Sequence, residues 1–370
     1  MSPRHTVGVA ATGIAALSAL AVGPGPVVAH IDYVTDETSK GDPIALLASV
    51  FSEPLNVALL AGGAVAVVGT ALVYLRLLPA RRDVAVFRET MESYRDLMPW
   101  LLRLSFGLPL VGAGFAGYLF SPSVEPFIPL VFAPSRLFQI GVGFLLLFGL
   151  ATRAVAVFVL AVYLLELATD PRLLLANEYV TGMVVLVLIG SGRPSADHVL
   201  DRIASAEGTV YGEFDPVHRA SAWFNRRVDP YQRYVPLIVR VGLGLNFLFL
   251  GVTQKLLSPE KALAVVEKYG LTGLIPVDAG LWVVGAGLTE AALGVALLLG
   301  VFTRAGSVIA LTVFTLTLFG LPDDPVLAHI TLFGLGSYLL VTGSGPFAVD
   351  EWLQKHVSPQ SRDASAAADD

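Results

Sequence analysis

The sequence predicts an all-α membrane protein with about nine transmembrane helices, and three observations support this fold class. The first is composition: of 370 residues, 55% are hydrophobic and 15% are charged, whereas roughly a quarter of a soluble domain is charged. The second is that apolar runs of about 17 to 25 residues recur, each long enough to cross a hydrocarbon core of about 30 Å. The third is that the period-two alternation typical of a membrane β-barrel is missing.

The same composition excludes several function classes. The chain has no cysteine, which rules out disulfides, thiol–disulfide exchange and cysteine-ligated iron–sulfur clusters on this chain. The net charge is −6 and no basic stripe is present, so a nucleic-acid partner is not expected. Of six histidines, only His329 lies within a predicted span, so a haem with two axial histidines is not expected either.

Residues 1–29 have the pattern of a secretory signal peptide. Arg4 and His5 precede a weakly apolar stretch, and small residues precede a cleavage site ahead of His30. An uncleaved anchor helix is the alternative, and both interpretations place the following acidic segment outside. After cleavage, the terminal amine and the imidazole of His30 could chelate copper. His30 has no obvious partner ligands, and no other metal site is predicted.

Nine spans are predicted in the mature chain. Their approximate ranges are 55–74, 99–120, 137–153, 154–169, 173–190, 236–256, 279–300, 305–321 and 326–342. The loop after the first span is rich in arginine, including Arg76, Arg81 and Arg82, which indicates a cytoplasmic loop. Alternation then predicts a multi-pass protein of the cell membrane with its mature N-terminus outside and its C-terminus in the cytoplasm.

Two four-span blocks align with each other as an internal repeat. Segment 99–122 aligns without gaps on 236–259, and G-x-x-T-R and G-S-G motifs follow in the same order. The matched positions are Arg103 with Arg240, Gly107 with Gly244, Gly114 with Gly251, Arg153 with Arg304, and Gly190 with Gly343. Each block has an even number of spans, so the repeats are parallel, unlike the inverted repeats of many transporters.

The repeat also predicts the roles of several polar residues. The arginine of each T-R turn should reach the lipid headgroups, and Arg103 and Arg240 should snorkel to the inner surface. Asp197 and Asp350 should cap the helices that follow them. Segment 258–276 should form an amphipathic helix on the outer surface.

The predicted organisation is a leading part, two four-helix blocks and a tail. The signal peptide is followed by an extracytoplasmic segment, the first span and a cytoplasmic loop. The ranges are 1–29, 30–98, 99–200 for the first block, 201–235 for a cytoplasmic linker, 236–352 for the second block, and 353–370 for a disordered acidic tail.

The second block resembles the DoxX family of four-helix membrane proteins. The resemblance rests on an ordered set of residues: Arg240, Gly244, Gly251, Lys255, Glu290, Gly294, Gly300 to Arg304, His329, Gly343 to Gly345, and Asp350. The first block resembles the family more distantly, so we expect tandem DoxX-like repeats. DoxX-like proteins and the related DoxD type are associated with membrane redox systems, including thiosulfate:quinone oxidoreductase, so the resemblance implies such an association here. It implies the fold more directly than a chemistry.

Glu290 is the strongest candidate for a functional residue. It lies near the middle of a long apolar run, where an ionised carboxylate facing lipid would cost about 2.5–3.5 kcal/mol. It must therefore face the bundle, be paired, or be protonated. Lys255 ends the preceding span and His329 begins the last one, so these groups can line one outward-opening cavity with Glu290. Asn246 and Gln254 can add amide groups as further ligand-binding residues.

A structural interpretation of these residues stays open beside the functional one. Glu290 either handles a proton or ties helices together through Lys255, and His329 either binds ligand or bonds a backbone carbonyl. The first block lacks this set, since Gln139 and Tyr118 stand at the Glu290 and Lys255 positions. Asn177 and Glu178 stand near the His329 region. That block is therefore a degenerate scaffold or holds a different pocket.

Three functions remain open. The first is an accessory or quinone-interacting subunit of a membrane redox system, with Glu290 handling a proton and Lys255 or His329 holding a carbonyl oxygen. Electrons would then come from a redox protein partner, since no haem or iron–sulfur site is visible. The second is a binding or transport protein for a small hydrophobic solute, and the third is a membrane scaffold. A subunit linked to an oxidoreductase is favoured over a self-sufficient enzyme.

Overall fold

The structure is a computed structural model of the chain, and it describes residues 42–77, 80–122, 132–214 and 223–357. Within these ranges the regular structure is helical, and the β-type pairing is limited to an isolated bridge between Leu119 and Ser121. The predicted all-α class is therefore confirmed. The predicted signal peptide, His30 and most of the tail lie outside the described residues.

The helices are grouped below by the predicted part of the chain in which each one lies. The leading part has α1 (Pro43–Ser52), α2 (Pro54–Leu77) and α3 (Arg81–Glu92). The first block has α4 (Met98–Ala116), α5 (Phe132–Phe148), α6 (Thr152–Thr169) and α7 (Glu178–Ile189). The linker contains α8 (Ala196–Ala204), α9 (Val210–Phe214) and a helical stretch at 223–228. The second block and the residues directly after it contain α10 (Val235–Phe249), α11 (Pro259–Lys268), α12 (Ala279–Leu299), α13 (Thr303–Gly320), α14 (Val326–Thr342) and α15 (Val349–Val357).

Several of these helices are long and apolar enough to cross a membrane. The six that meet both conditions are Pro54–Leu77, Arg95–Ala116, Thr152–Thr169, Trp223–Leu256, Ala279–Leu299 and Thr303–Gly320. The other three predicted spans fall on α5, α7 and α14, which are apolar but shorter. The chain is thus an all-α polytopic membrane protein, and the total of nine spans stays a prediction.

The core lies where the first and last helices of the two blocks meet. Helix α4 packs against α14, and α7 packs against α10, so each block places its first helix against the last helix of the other. The fully buried apolar side chains of this centre include Leu102, Phe106, Met183, Leu186, Val239, Leu243, Leu335 and Leu339. Apolar side chains of α2 are instead exposed, as on a helix that contacts lipid.

Contacts across the two blocks occur in matching pairs. Ser105 on α4 lies against Gly334 on α14, and Thr181 on α7 lies against Gly242 on α10. Ser105 corresponds to Gly242 in the gap-free alignment of 99–122 on 236–259. Counting back from the matched residues Gly190 and Gly343, Thr181 corresponds to Gly334. A Cβ atom at either glycine would overlap the hydroxyl side chain opposite, so each pair has room for one side chain only.

Close helix contacts inside each block also match. A Cβ atom at Gly107 would lie 2.9 Å from the Gly143 carbonyl oxygen, and one at Gly244 would lie 2.9 Å from the Gly294 carbonyl oxygen. These distances are too short for any residue but glycine, so the backbones of the first and second helices of each block touch. This is the close packing that small residues permit in membranes.

The two arginines of the first helices are buried rather than snorkelling. Arg103 and Arg240 are both 1% exposed. Arg240 donates from Nη2 to the Phe347 carbonyl oxygen at 3.0 Å, and Arg103 donates in the same way to the Pro194 carbonyl oxygen. The prediction that they reach the inner surface is therefore wrong. The loop after each block's last helix supplies carbonyl acceptors inside the protein, and a buried guanidinium requires such acceptors.

The arginines of the T-R turns also bind backbone instead of headgroups. Arg304 donates to the carbonyl oxygens of Leu340 and Val341 at 3.0 and 2.9 Å. Arg153 donates to the Leu188 carbonyl oxygen at 3.1 Å. The last carbonyls of a helix have no partner within it, so each arginine completes the C-terminus of its block's last helix. Contact of these arginines with lipid headgroups stays a prediction.

Asp197 and Asp350 cap a different helix from the predicted one. Asp350 accepts from Phe302 N at 2.6 Å and Thr303 N at 2.8 Å, which begins α13. Asp197 accepts in the same way from Ala151 N and Thr152 N, at 2.6 and 3.0 Å, which begins α6. The two carboxylates therefore tie the end of each block to its central turn, an arrangement that sequence neighbours alone do not reveal.

The predicted amphipathic helix in 258–276 is α11. Its buried side chains, Ala262, Val265 and Val266, pack in one cluster with Val283 of α12. Its apolar face therefore covers α12 of the bundle.

We expect Asp350→Ala to lower the free energy of unfolding by about 1–2 kcal/mol, because two amide hydrogens at the start of α13 lose their acceptors. Asp350→Asn keeps one acceptor oxygen and should lose less. Thermal unfolding in detergent, followed by size exclusion, measures both. Unfolding of Asp350→Ala at the wild-type temperature would contradict this role.

Candidate functional site

Glu290 on α12 forms an ion pair with Lys255. Lys255 Nζ donates to Glu290 Oε2 at 2.7 Å, and the two side chains are 23% and 16% exposed. The structure therefore places the carboxylate against a cation inside the bundle rather than alone in lipid. A charge-assisted bond of this length is among the strong hydrogen bonds of a protein.

The local backbone explains why Lys255 reaches Glu290. Helix α10 continues into a π-helical segment, Leu250–Leu256, which the sequence analysis did not predict. Within it, Gly251 lies against α12, where an added Cβ would come within 2.7 Å of the Gly287 carbonyl oxygen. The glycine lets the two backbones touch one turn before Glu290. Short π-helical segments occur frequently at functional sites.

A second acid, Asp324, accompanies His329. His329 Nε2 lies 3.5 Å from Asp324 Oδ2, and each side chain is 7% exposed. His329 Nδ1 lies 3.4 Å from the Pro325 carbonyl oxygen. Sequence reasoning missed Asp324, although the L-P-D-D-P stretch at the end of an apolar run was a usable signal, because a loop acid looks solvated until the fold buries it.

Asp324 connects the two pairs electrostatically. Burial raises the pKa of the Asp324 carboxyl above its ordinary value, and the charges of His329 and Lys255 oppose that rise. Lys255, Glu290, Asp324 and His329 therefore form one group of titratable side chains, which we call the Glu290 cluster. The cluster also has unused acceptor capacity, since buried Asp324 Oδ1 has no hydrogen-bond partner among the described residues.

The two predicted amide ligands lie in different surroundings. Gln254 is 1% exposed, donates from Nε2 to Thr253 Oγ1 at 3.2 Å, and has an Oε1 atom without a hydrogen-bond partner in the described structure. Asn246 is not joined to the Glu290 cluster. It faces the first block, where Nδ2 donates to Glu178 Oε2 at 3.4 Å. The residue lies more than two turns before Lys255, on the side of α10 that packs against α7.

The first block has a neutral tie where the second has an ion pair. Gln139 on α5 accepts from Phe120 N and donates from Nε2 to the Tyr118 carbonyl oxygen, both at 2.9 Å. Gln139 and Tyr118 are the residues aligned with Glu290 and Lys255. The first block therefore keeps the contact between its first two helices while the charges are missing.

Metal binding receives no support from side-chain geometry in the described part of the chain. No group of three or more His, Cys, Asp or Glu side chains there is arranged to hold an ion. His30, the one candidate copper ligand, is outside the described residues.

A double-mutant cycle on Lys255→Met and Glu290→Gln should give a coupling free energy of roughly 1–3 kcal/mol, because each single change leaves a partly buried charge or amide without its partner. Reversible unfolding in bicelles measures it. The matched control is the exposed pair Lys268–Asp323, 45% and 58% exposed at 2.9 Å, where coupling should be near zero. Equal coupling in both pairs would contradict a buried ion pair.

Asp324→Asn should flatten the pH dependence of stability. Because the folded-state pKa of Asp324 is raised, the unfolded state loses this proton first, so the wild type loses stability as pH rises from about 4 toward the folded pKa. Asparagine cannot ionise and removes that loss. Thermal unfolding at pH 4 to 8 compares the two proteins, and parallel curves would contradict the assignment.

Comparison with known proteins identifies one domain. Residues 235–323 match the DoxX family. The match covers α10 to α13, including Lys255 and Glu290, and it ends just before Asp324 and His329. The chain matches no curated protein and no solved structure.

The match confirms the predicted resemblance for most of the second block, while the first block lies outside it. Several helices of the described chain are apolar and each is long enough to span a membrane. The chain is therefore a multi-pass membrane protein that contains a DoxX domain at residues 235–323.

Proposed function

We propose that the chain is a quinone-interacting accessory subunit of a membrane redox system, and that Glu290 handles the proton. The observation that carries the proposal is the Lys255–Glu290 ion pair, held within the bundle at 2.7 Å. A carboxylate beside an ammonium group can accept a proton when a ligand takes over the hydrogen bond to the lysine. The DoxX domain supports the same assignment through the family's association with redox systems.

The unused acceptors of the region fit a hydroquinone. Asp324 Oδ1 and Gln254 Oε1 are buried oxygens without hydrogen-bond partners among the described residues. A hydroxyl donor of a quinol can satisfy such an oxygen, and Lys255 can donate to a quinone carbonyl oxygen. A quinone supplies two-electron, two-proton redox chemistry when bound, and the electrons pass to or from a partner protein. Asp324 and His329 would then orient the ligand and exchange protons with Glu290.

Topology and duplication complete the proposal. We place the Glu290 cluster toward the outer face of the cell membrane, the mature N-terminus outside and the C-terminus in the cytoplasm, because arginine is concentrated in the loop around α3. We further propose that residues 99–200 are a diverged second DoxX-like copy. Gly107 and Gly244 make similar close contacts in their own blocks, and Asp197 and Asp350 cap the central turns of theirs. These similarities support the duplication.

Purification in mild detergent, followed by mass spectrometry of extracted lipids, tests the quinone proposal. We expect near-stoichiometric quinone in the wild type and about a tenfold loss in Glu290→Gln, the equivalent of about 1.4 kcal/mol of binding. Glu267→Gln, an exposed acid on α11, is the matched control and should retain quinone.

Absence of quinone from folded wild type and both variants would overturn the proposal. If Glu290→Ala then unfolds the protein while Glu290→Gln is neutral in every assay, a scaffold in which the ion pair is structural is favoured. Flux of a small hydrophobic solute into liposomes without a partner would favour the binding or transport function.

A further inference from the structure

Glu178 is a second acid inside the protein, and it lies between the two blocks. It is the first residue of α7 and is 3% exposed. Its Oε2 atom accepts from Asn246 Nδ2 at 3.4 Å, and its Oε1 atom lies 3.3 Å from Thr331 Oγ1. Both partners belong to the second block, on α10 and α14. The carboxyl group therefore bridges the interface on which the packing of the whole bundle centres.

No cation accompanies this acid among the described residues that surround it. The titratable groups that face it are tyrosines: Tyr163 from α6, Tyr179 on α7 and Tyr118 beyond the end of α4. Tyr163 already donates to the Leu173 carbonyl oxygen at 2.6 Å. An ionised carboxylate without a cation in the membrane interior is costly, so the surroundings of Glu178 favour a neutral acid.

The hydrogen-bond distances agree with a neutral acid. Bonds to an ionised carboxylate are typically about 2.7–2.9 Å, as in the Lys255–Glu290 pair at 2.7 Å. The two contacts of Glu178 are 3.4 and 3.3 Å, which is the length of weak neutral hydrogen bonds. Glu178 and Glu290 are thus held in different ways.

The partners of Thr331 indicate where the proton sits. Thr331 Oγ1 lies 3.3 Å from Glu178 Oε1 and 3.3 Å from the Ala328 carbonyl oxygen. Its one hydroxyl hydrogen can serve only one of these acceptors. If Glu178 is protonated, it donates to Thr331, Thr331 donates to Ala328, and Asn246 donates to the other carboxyl oxygen. Each group is then used once.

A pocket leads from Glu178 to the protein surface. It is lined by residues from both blocks, among them Tyr118, Ser121, Glu178, Leu327 and Thr331. Its inner space accommodates about one water molecule. Ser121 and Tyr118 lie in the loop after α4, and Leu327 lies in the first turn of α14, so the pocket opens at the end of the bundle predicted to face outward.

We infer that Glu178 is a proton-exchange site: a neutral carboxylic acid that trades its proton with a water molecule in the pocket between the blocks. The proton moves from the carboxyl group to that water, which leaves a carboxylate and a hydronium ion, and a hydronium ion then returns a proton to the carboxylate, so charge and atoms balance. The ligand class is the proton itself, delivered as hydronium or water. This inference does not depend on quinone binding at the Glu290 cluster.

Infrared spectroscopy of the purified protein tests the inference, because a protonated carboxylic acid has a C=O stretching band that a carboxylate lacks. We expect this band at neutral pH in the wild type, a shift of the band after exchange into D2O, and its loss in Glu178→Gln. Glu290→Gln is the matched control and should keep the band, since Glu290 is ion-paired.

Two outcomes would overturn the inference. An identical band region in wild type and folded Glu178→Gln would show that Glu178 is ionised. A band that does not shift after prolonged incubation in D2O would show a trapped proton without exchange. If Glu178→Gln does not fold, Thr331→Val replaces it: removal of the hydroxyl acceptor should move the band, and an unmoved band would again contradict the assignment.

Discussion

The structure depends on one constraint: inside hydrocarbon, a polar group must find its partner within the protein, because the lipid offers none. Each buried arginine meets this constraint through its Nη2 atom, while Nε and Nη1 have no hydrogen-bond partner among the described residues. Arg103 and Arg240 bind carbonyl oxygens of the loops that follow each block, and Arg304 completes the last carbonyls of α14. Asp350 accepts hydrogen bonds from the backbone amides at the start of α13, which have no partner within the helix. The charged residues at this end of the bundle therefore hold its loops closed.

The same constraint is met in two ways at the opposite end. Glu290 is paired with Lys255, and Asp324 and His329 form a second, buried pair. Glu178 instead contacts the neutral side chains of Asn246 and Thr331. Glu290 and Glu178 lie apart because Glu290 lies within the second block and Glu178 lies between the two blocks.

The two blocks share a framework and differ in chemistry. Glycine contacts, arginine hydrogen bonds and aspartate caps recur at aligned positions. The Gln139 amide replaces the charged Glu290 side chain, and the first helices still touch the second. The contact between the first two helices is therefore made with charges in the second block and without them in the first. That is the pattern expected when the charged groups serve a function beyond holding the helices together.

The sequence by itself determined the fold class and the DoxX resemblance of most of the second block, and it predicted the approximate positions of the apolar helices and a pairing of Glu290 with Lys255 as one of two alternatives. These follow from apolar run length, from motif order and from the cost of a lone charge in lipid. It did not determine that Asp197 and Asp350 cap a distant turn or that Asp324 is buried beside His329. It also did not determine that Asn246 contacts Glu178 and not the Glu290 cluster. Such contacts join residues far apart in the chain. Only the packing of α4 against α14 and of α7 against α10 decides which face of each helix meets which partner.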